Sequence, residues 1–318
     1  SFFGGGSDYP LWYKKNGGEV ISTTINKYLY LSVRNLPIFF KHKYRIVYSK
    51  IETANNPNQI KFHVIKKLIK YYKINHGLEI HYDGDLPARS GMGSSSCFVV
   101  GLLNTINNYL KINKNVNQLA NQSIFFEQKI LRELVGSQDQ VAASYGGFNL
   151  IKFKKSGKFN VQKFDINNNF FNKLNENLVL IFTGINRTSN EIASTYVNKF
   201  NNTKKKEMIE LISFVQEAKK IIKNKSLSEF GDLLHESWLL KKSISQKIST
   251  YKINEIYENA LRCGARGGKL LGAGGGGFLL FYVPKEKKRN FLKKFNKLLV
   301  IDFKFSNKGS TIIYNSND

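Results

Sequence analysis

The segment 87-PARSGMGSSS-96 combines glycines and serines in a way that can bind phosphate. It follows an alternating strand pattern over 78–87 and precedes an apolar helical pattern over 95–110. Gly91 and Gly93 permit close approach of a ligand to the backbone, and the start of a helix favours anions. Serine hydroxyls can bind phosphate oxygens or Mg²⁺. The segment therefore predicts a phosphate site that is neither a P-loop nor a protein-kinase glycine loop, and an ordinary capped turn is the alternative.

A second glycine-rich segment, 268-GKLLGAGGGGFLLFYV-283, precedes a predicted buried strand. Consecutive glycines, here 274–277, cost backbone entropy, so an unstructured connection rarely uses them. The neighbouring Leu271 and Phe278 indicate a tightly packed loop. We expect this loop to face a ligand, and a flexible linker is the alternative.

Two acidic residues in 124-IFFEQKILRELVGSQDQVAASYGG-147 are candidates for phosphoryl-transfer chemistry. Glu127 and Asp139 are separated by a helix end and a turn, so both can reach one cleft although they do not share a helical face. Such chemistry needs oxygen ligands for Mg²⁺ and a group that orients or deprotonates the acceptor. The spacing alone leaves two simpler roles open, a helix N-cap for Asp139 and a solvated helix position for Glu127.

A third glycine turn, 3-FGGGSDYP-10, ends in Asp8. A carboxylate can accept two hydrogen bonds from the vicinal hydroxyls of a sugar. An aspartate before an aromatic residue and proline is also an ordinary turn residue, so both interpretations stay open.

The elements that must position these segments form an α+β pattern of two halves, 1–174 and 175–318. The boundary follows a polar, Asn-rich stretch at about 155–175, after which 178-LVLIFTG-184 predicts a new strand. The other predicted strands are 28–33, 44–49, 78–87, 278–283 and two closing strands. The predicted helices are 60–72, 95–110, 117–134, 139–146, 205–222, 227–242, 253–264 and 285–299.

Composition narrows the class of protein. The 318 residues are 42% hydrophobic and 13% aromatic, enough for two domains that share a cleft. Cys97 and Cys263 show no paired spacing, and the five histidines show no metal-ligand spacing. No signal peptide and no apolar run of bilayer length is visible, so we expect a cytoplasmic protein without a membrane partner.

The net charge of +26 would ordinarily suggest a polyanionic partner. The lysines are spread along the whole chain among many Asn and Ile residues, and the expected pattern of interleaved aromatic and basic residues for RNA is absent. We therefore expect no specific nucleic-acid partner. A non-catalytic RNA-binding or ribosome-binding module remains the alternative outside the enzymes.

Taken in order, these motifs resemble the GHMP kinase superfamily, named for galactokinase, homoserine kinase, mevalonate kinase and phosphomevalonate kinase. Segment 87–96 is similar to the family's Pro-x-x-x-Gly-Leu-Gly-Ser-Ser signature, with Met92 in place of Leu, and 271-LGAGGGGF-278 is similar to its third motif. The resemblance implies a first domain like domain 2 of ribosomal protein S5, a ferredoxin-like second domain, and ATP between them.

The resemblance also implies roles for residues. Asp139 matches the catalytic aspartate of the sugar-kinase branch, Glu127 the Mg²⁺-ligating glutamate, and Ser95 (or its neighbour Ser94) the metal-ligating serine. The residues expected at the ATP phosphates are Pro87, Arg89, Ser90, Gly91, Gly93, Ser94, Ser95 and Ser96.

Within the superfamily, Gly-Gly-Gly-Ser-Asp-Tyr-Pro at 4–10 and 183-TGINRTSNEI-192 resemble the branch of heptose 7-phosphate kinases and fucokinases. This implies a sugar phosphate acceptor that receives phosphate on its anomeric hydroxyl, for use in surface polysaccharide synthesis. A fucokinase-like or other hexose 1-kinase is the alternative, and a homo-oligomer stays open. The residues expected at the acceptor are Gly5, Gly6, Ser7, Asp8, Tyr9, Arg187, Gly274 and Gly275.

Overall fold

The computed structural model describes residues 1–88, 90–186 and 189–316. Within these ranges it is an α+β structure with three four-stranded sheets, β2-β5-β3-β4, β12-β1-β6-β7 and β11-β8-β10-β9, and the α+β prediction is confirmed. The strands are β1 Gly18–Ile25, β2 Leu29–Asn35, β3 Tyr44–Val47, β4 Ile51–Ala54, β5 Leu78–Gly84, β6 Phe148–Phe153, β7 Phe159–Phe164, β8 Leu178–Phe182, β9 Gly267–Leu270, β10 Phe278–Tyr282, β11 Val300–Ile301 and β12 Phe305–Ser306.

Helices cover these sheets. The α-helices are α1 Pro10–Asn16, α2 His63–Tyr71, α3 Ser94–Tyr109, α4 Val116–Phe125, α5 Gln138–Tyr145, α6 Asn169–Asn177, α7 Ser189–Ala193, α8 Lys205–Asn224, α9 Leu227–Ile244, α10 Tyr251–Arg262 and α11 Lys285–Lys294. Short 3₁₀ turns occur at Pro57–Gln59, Val197–Lys199 and Gln246–Ile248, and a π-helical turn at Phe126–Ile130. None of the helices in the described ranges is long and apolar enough to cross a membrane.

The β2-β5-β3-β4 sheet carries the first hydrophobic core. Strands β2 and β5 are antiparallel, and β3 runs parallel to β5. Ile80 of β5 and Phe98 of α3 belong to one apolar cluster with Leu68 of α2, because the helical spacing of α2 places its apolar side chains on the face toward the sheet. Strand β5 and helix α3 thereby fix both ends of the connection that contains the first glycine motif.

The other two sheets share a larger core. Strand β12 pairs with β1 (Thr24↔Ser306), so the end of the described chain returns to the sheet that contains its beginning. Phe230 of α9 packs edge-on against Phe2 and Phe3, with ring centroids 5.3 and 5.2 Å apart. The segment before Asp8 is therefore held against the second half of the chain.

The structure differs from the sequence prediction around the presumed boundary between the two halves. The Asn-rich stretch contains β7 and α6, and it buries Phe170, Phe171 and Leu174. The predicted boundary between residues 174 and 175 falls within α6, directly before β8, and stays a prediction.

Two predicted helices end earlier than the pattern indicated. The helix predicted to continue to 134 changes to the π-helical turn at Phe126 and stops at Ile130, and Arg132 adopts a left-handed φ of 61°. The helix predicted to reach 299 ends at Lys294. The elements that were not predicted separately are helices α1, α6 and α7 and strands β1, β4, β6, β7 and β9.

Candidate active site

The first glycine motif forms a turn that leads into helix α3. Gly91 and Gly93 have φ values of 82° and 72°, a left-handed conformation that glycine adopts without a Cβ penalty. Gly93 is the N-cap residue of α3, and within the described chain no side chain caps that end. The N–H groups of the first helical turn have no acceptor inside the helix, so this end attracts an anion. Close by, the Ser90 hydroxyl is buried and has no hydrogen-bond partner among the described residues.

The carboxyl group of Asp139 lies against this turn. A Cβ atom built on Gly93 would lie 3.2 Å from both Cγ and Oδ2 of Asp139. Asp139 sits in the first turn of α5, where Ser137 occupies the N-cap position, so the alternative role of Asp139 as N-cap is wrong. The missing side chain at position 93 lets a carboxylate approach the predicted phosphate site.

Asp8 is hydrogen-bonded to the N-terminal end of α5. Its Oδ1 accepts from Gly6 N at 3.0 Å, its Oδ2 accepts from Gln138 N at 3.1 Å, and its carbonyl oxygen accepts from Ser137 N at 2.9 Å. A Cβ atom at position 136 would lie 1.8 Å from Asp8 Oδ2, so the Asp8 carboxyl group can approach this position only because residue 136 is glycine. The chain thus brings two carboxyl groups, from Asp8 and Asp139, to one helix terminus.

Burial raises the pKa of Asp8 to about 6, and the negative charge of Asp139 raises it further, against the effect of the backbone N–H donors. Mutual repulsion between carboxylates favours a ligand that supplies hydroxyl groups or positive charge between them.

Glu127 lies in the π-helical turn and is fully buried, so a solvated helix position is excluded. Its Oε1 accepts from the Ser96 hydroxyl at 3.2 Å, and its Oε2 accepts from the Gln140 amide. Burial raises the pKa of Glu127 to about 8, although both hydrogen bonds oppose the shift. The Gln140 Oε1 atom is buried without a hydrogen-bond partner among the described residues.

The second glycine motif packs onto the first. A Cβ atom on Gly277 would lie 2.0 Å from the Ser90 carbonyl oxygen, and Gly277 has a φ of 97°. Gly277 N donates to Ile185 O at 2.8 Å, and Gly277 O accepts from Thr183 N at 2.9 Å. The two glycine loops therefore meet backbone to backbone, and these hydrogen bonds are inconsistent with a flexible linker.

Comparisons with known proteins show which family the chain is similar to. The sequence profile of the GHMP kinases N terminal domain matches residues 59–147, and that of the GHMP kinases C terminal domain matches residues 218–300. The D-glycero-alpha-D-manno-heptose 7-phosphate kinase of Campylobacter jejuni is 31% identical over 320 residues, which cover 96% of this chain and 94% of that protein. The chain belongs to the GHMP kinase family. This GHMP kinase is a phosphotransferase, so the non-catalytic alternative no longer applies.

Two further proteins are similar to this chain. The bifunctional fucokinase/GDP-fucose pyrophosphorylase of Arabidopsis thaliana is 26% identical over 234 residues, which cover 69% of this chain and 21% of that longer protein. The crystal structure of a D-glycero-D-manno-heptose 1-phosphate kinase from Bacteroides thetaiotaomicron superposes with a TM-score of 0.78 at 24% identity, covering 97% of this chain and 94% of that one. The predicted two-domain GHMP kinase fold is confirmed.

The predicted site residues of this GHMP kinase differ in how they face the site. Ser96 contacts Glu127, whereas the Ser95 side chain is exposed and Ser94 is half-buried, so the metal-ligating role of Ser95 or Ser94 stays a prediction. Pro87 is exposed at the start of the loop. Arg89 and Arg187 lie outside the described residues.

The third glycine turn, residues 3–10, has its own internal constraints. The Ser7 hydroxyl is buried and bonds to Gly4 O at 2.8 Å, and Glu19 N donates to it at 3.1 Å, so it fastens the turn to β1. Gly6 has a φ of 105°. The Tyr9 ring packs against Phe200, with ring centroids 6.1 Å apart.

Gly274 and Gly275 are enclosed by protein. Their Cβ positions would meet Ile248 Cα at 2.8 Å and the Ile192 side chain at 2.9 Å. Close packing thus accounts for both glycines, and contact with an acceptor stays a prediction.

Three polar residues of the site were not predicted. Gln138 and Gln140 flank Asp139 in Ser-Gln-Asp-Gln, and the Gln138 Oε1 atom is also buried without a partner among the described residues. Lys269 of β9 is 4% exposed, and its Nζ donates to Phe2 O at 2.5 Å. Burial lowers the pKa of Lys269 well below its usual value, and the charge of Lys241 adds to the shift. The sequence feature that could have indicated a buried Lys269 is its position inside an otherwise apolar and glycine-rich segment.

Proposed function

We propose that this GHMP kinase transfers the γ-phosphoryl group of ATP to the anomeric hydroxyl of D-glycero-D-manno-heptose 7-phosphate. The observation that carries the proposal is the approach of the Asp139 carboxyl group to Gly93, at 3.2 Å from that residue's Cβ position. A carboxylate beside a phosphate-binding helix end can act on a hydroxyl that attacks the bound phosphate. The Campylobacter jejuni relative supports the choice of acceptor.

Each part of the site has a role in this proposal. The backbone of residues 91–96 holds the triphosphate, and the Asp8 region binds sugar hydroxyls. Asp139 orients the acceptor hydroxyl and takes its proton as the oxygen bonds to the γ-phosphorus. The bond from the γ-phosphorus to the bridging oxygen breaks at the same time, and ADP leaves with that electron pair.

The donor atoms around Glu127 suit Mg²⁺, which prefers oxygen ligands and keeps several waters. Among the described residues no group of three or more His, Cys, Asp or Glu side chains could hold a metal ion, so the protein would supply few ligands. Glu127 and one of the serines 94–96 would hold the ion, and the unpartnered Gln140 Oε1 is a further oxygen in the same place. The bound ion would neutralise charge on the phosphate oxygens.

We also propose that the enzyme works in the cytoplasm and that its bisphosphate product feeds nucleotide-heptose synthesis for surface polysaccharide. The acceptor phosphate requires cationic groups. Our candidates are Arg187, Arg89 and Lys27. The backbone next to Lys27 is held in place, because Tyr28 N donates to Asp85 Oδ2 at 2.8 Å.

An acceptor panel tests the proposal. ADP formation is measured with ATP and Mg²⁺ against D-glycero-D-manno-heptose 7-phosphate, the dephosphorylated heptose, L-fucose, galactose and mevalonate, and ³¹P NMR locates the new phosphate. We expect the heptose phosphate to give the highest kcat/KM and a product with phosphates on C1 and C7. Equal kcat/KM for the free heptose and its 7-phosphate would exclude the assignment. Preference for L-fucose would favour the fucokinase-like alternative, to which the Arabidopsis thaliana relative is similar.

A further inference from the structure

The connection between β2 and β3 exposes three consecutive apolar side chains. Ile38, Phe39 and Phe40 are 98%, 91% and 42% exposed, and we call them the apolar tip. Single exposed apolar residues are common, whereas contiguous exposed apolar side chains can mark an interaction surface.

The backbone on both sides of the apolar tip is fixed. Leu36 N donates to Gly77 O at 3.1 Å before the tip, and Leu78 N donates to Lys43 O at 2.9 Å after it. Within the connection, Phe40 N donates to Pro37 O at 3.3 Å, which closes a turn. The sheet therefore displays the apolar tip in a defined conformation.

The apolar tip does not belong to the candidate active site. It lies beside Gly77 and Leu78, where β5 begins, whereas the phosphate-binding turn follows Gly84, where β5 ends. A strand of this length spans about 20 Å. A partner bound at the tip therefore leaves the opposite end of the sheet open to ATP and sugar.

Basic residues flank the apolar tip. Lys41 directly follows the apolar tip and is exposed, and Lys43, two residues further on, is half-buried. Arg34 and Arg45 lie on the adjoining strands. Both arginines pair with Glu79, the acidic side chain opposite them on β5. The surroundings are thus positive, in a chain whose net charge is +26.

In contrast to the expectation from the sequence that the protein has no membrane partner, we propose that residues 37–43 dock the enzyme on an anionic lipid surface, with the apolar tip among the headgroups and Lys41 and Lys43 against lipid phosphates. Exposed aromatic and aliphatic side chains beside lysines are the combination that binds such surfaces, and each nearby basic residue adds to the affinity. The inference is independent of the acceptor sugar.

Two other occupants fit the surface less well. Three side chains offer far less than the roughly 800 Å² per partner of a stable protein interface, and a symmetric pair of tips would bring their lysines together. RNA binding uses aromatic rings that stack on bases, and Ile38, the most exposed member of the tip, has no ring.

Vesicle sedimentation of the full chain tests the proposal. We expect binding to vesicles of phosphatidylcholine with phosphatidylglycerol, none to phosphatidylcholine alone, and weaker binding in high salt. The double substitution Ile38→Ser, Phe39→Ser should lower the affinity by about tenfold or more. The matched control is Tyr251→Ser, which removes a single side chain that is 85% exposed and precedes Lys252, and it should bind like the wild type.

Tryptophan fluorescence gives an independent readout. Trp12 and Trp238 are 1% and 0% exposed, so vesicles should not change their emission. The emission of Phe39→Trp should shift to shorter wavelength when anionic vesicles are added, whereas that of Tyr251→Trp should not. Far-UV circular dichroism of each variant establishes that it is folded.

Three outcomes would overturn the proposal. The first is unchanged vesicle binding by the folded double variant, which would assign binding to dispersed charge. The second is a concentration-dependent dimer that the double variant loses, without vesicle binding by the wild type. The third is binding of a single-stranded RNA probe that depends on Phe39, again without vesicle binding.

Discussion

The two ends of strand β5 depart from ordinary burial in opposite directions. Beyond its carboxyl end, the candidate site buries the carboxyl groups of Asp8 and Glu127 completely. At its amino end, the same sheet leaves Ile38 and Phe39 almost fully in water. Buried carboxyl groups and exposed apolar groups both cost free energy in the unliganded chain.

The two ends of the strand therefore suit different partners. We call the site beyond the carboxyl end of β5 the polar end and the tip at its amino end the apolar end. A phosphate, sugar or cation can bind at the polar end, because it supplies the hydrogen bonds or charge that the unpartnered Ser90, Gln138 and Gln140 atoms lack among the described residues. The apolar end needs a partner with an apolar layer and negative charge. If this comparison is right, the two ends respond to substitution independently.

The largest effect is expected from Asp139→Asn at the polar end. The substitution should lower kcat by about 10²- to 10⁴-fold, the usual contribution of a positioned general base. Urea unfolding should change little, because Ser137 and not Asp139 is the N-cap of α5. Steady-state kinetics measure the loss, and Asp83→Asn, an exposed carboxylate on β5, is the control. A variant that keeps more than about a tenth of wild-type kcat would reduce Asp139 to an orienting group.

A second prediction breaks the contact between the glycine loops. Gly277→Ala places a Cβ atom 2.0 Å from Ser90 O, so we expect at least about tenfold lower kcat/KM and a lower free energy of unfolding, by about 2–4 kcal/mol. The matched control is Gly157→Ala, which has a similar positive φ of 86° but no atom within 4 Å of the new Cβ. It should lose only about 1 kcal/mol and no activity. Similar losses in both variants would mean that the loop contact has no effect beyond backbone strain.

The third prediction concerns pH. The pKa values of Glu127 and Asp8 are raised to about 8 and about 6, so the folded chain binds more protons than the unfolded chain above their ordinary values. The free energy of unfolding of the ligand-free enzyme should therefore fall as pH rises from about 4.5 to 8, by up to about 1.4 kcal/mol per pH unit for Glu127.

Urea unfolding at a series of pH values measures this slope. Glu127→Gln should flatten it, because the amide does not ionise, and Glu236→Gln, an exposed position on α9, should leave it unchanged. An unchanged slope in Glu127→Gln would contradict the raised pKa of Glu127 in the ligand-free enzyme.

The smallest effect is expected from the apolar end. Without lipid, Ile38→Ser with Phe39→Ser should change kcat and KM by less than about twofold, because exposed positions far from a site contribute little to it. A larger kinetic effect in lipid-free solution would show that the two ends of the sheet are coupled.

The sequence predicted the polar end better than the apolar one. The glycine motifs follow from residue types, and the prediction that Glu127 and Asp139 reach one cleft follows from their spacing and from the family resemblance. The family resemblance pointed to Ser95 or Ser94, whereas the serine that contacts Glu127 is Ser96, because successive helix residues point about 100° apart and the rotation of α3 decides which of them faces Glu127. The contact between Gly277 and Ser90 joins segments that are far apart in the chain, so no local sequence pattern predicts it.

The apolar end was not predicted at all. The run from Ile38 to Phe40 has the composition of a buried strand, and only the tertiary structure shows that none of the described elements covers it. The buried Lys269 is the opposite case, because a lysine pattern normally indicates a solvated face. In both cases the exposure of the side chain depends on where distant parts of the chain lie, which a local sequence pattern does not show.

A crystal structure of the enzyme with Mg²⁺, a non-hydrolysable ATP analogue and the heptose 7-phosphate would locate both substrates relative to Asp139 and Asp8. We predict phosphates on the backbone N–H groups of residues 91–96, the anomeric hydroxyl within hydrogen-bond distance of Asp139, and other sugar hydroxyls near Asp8. Nucleotide phosphates bound elsewhere, or an acceptor whose hydroxyls contact neither carboxylate, would contradict the account.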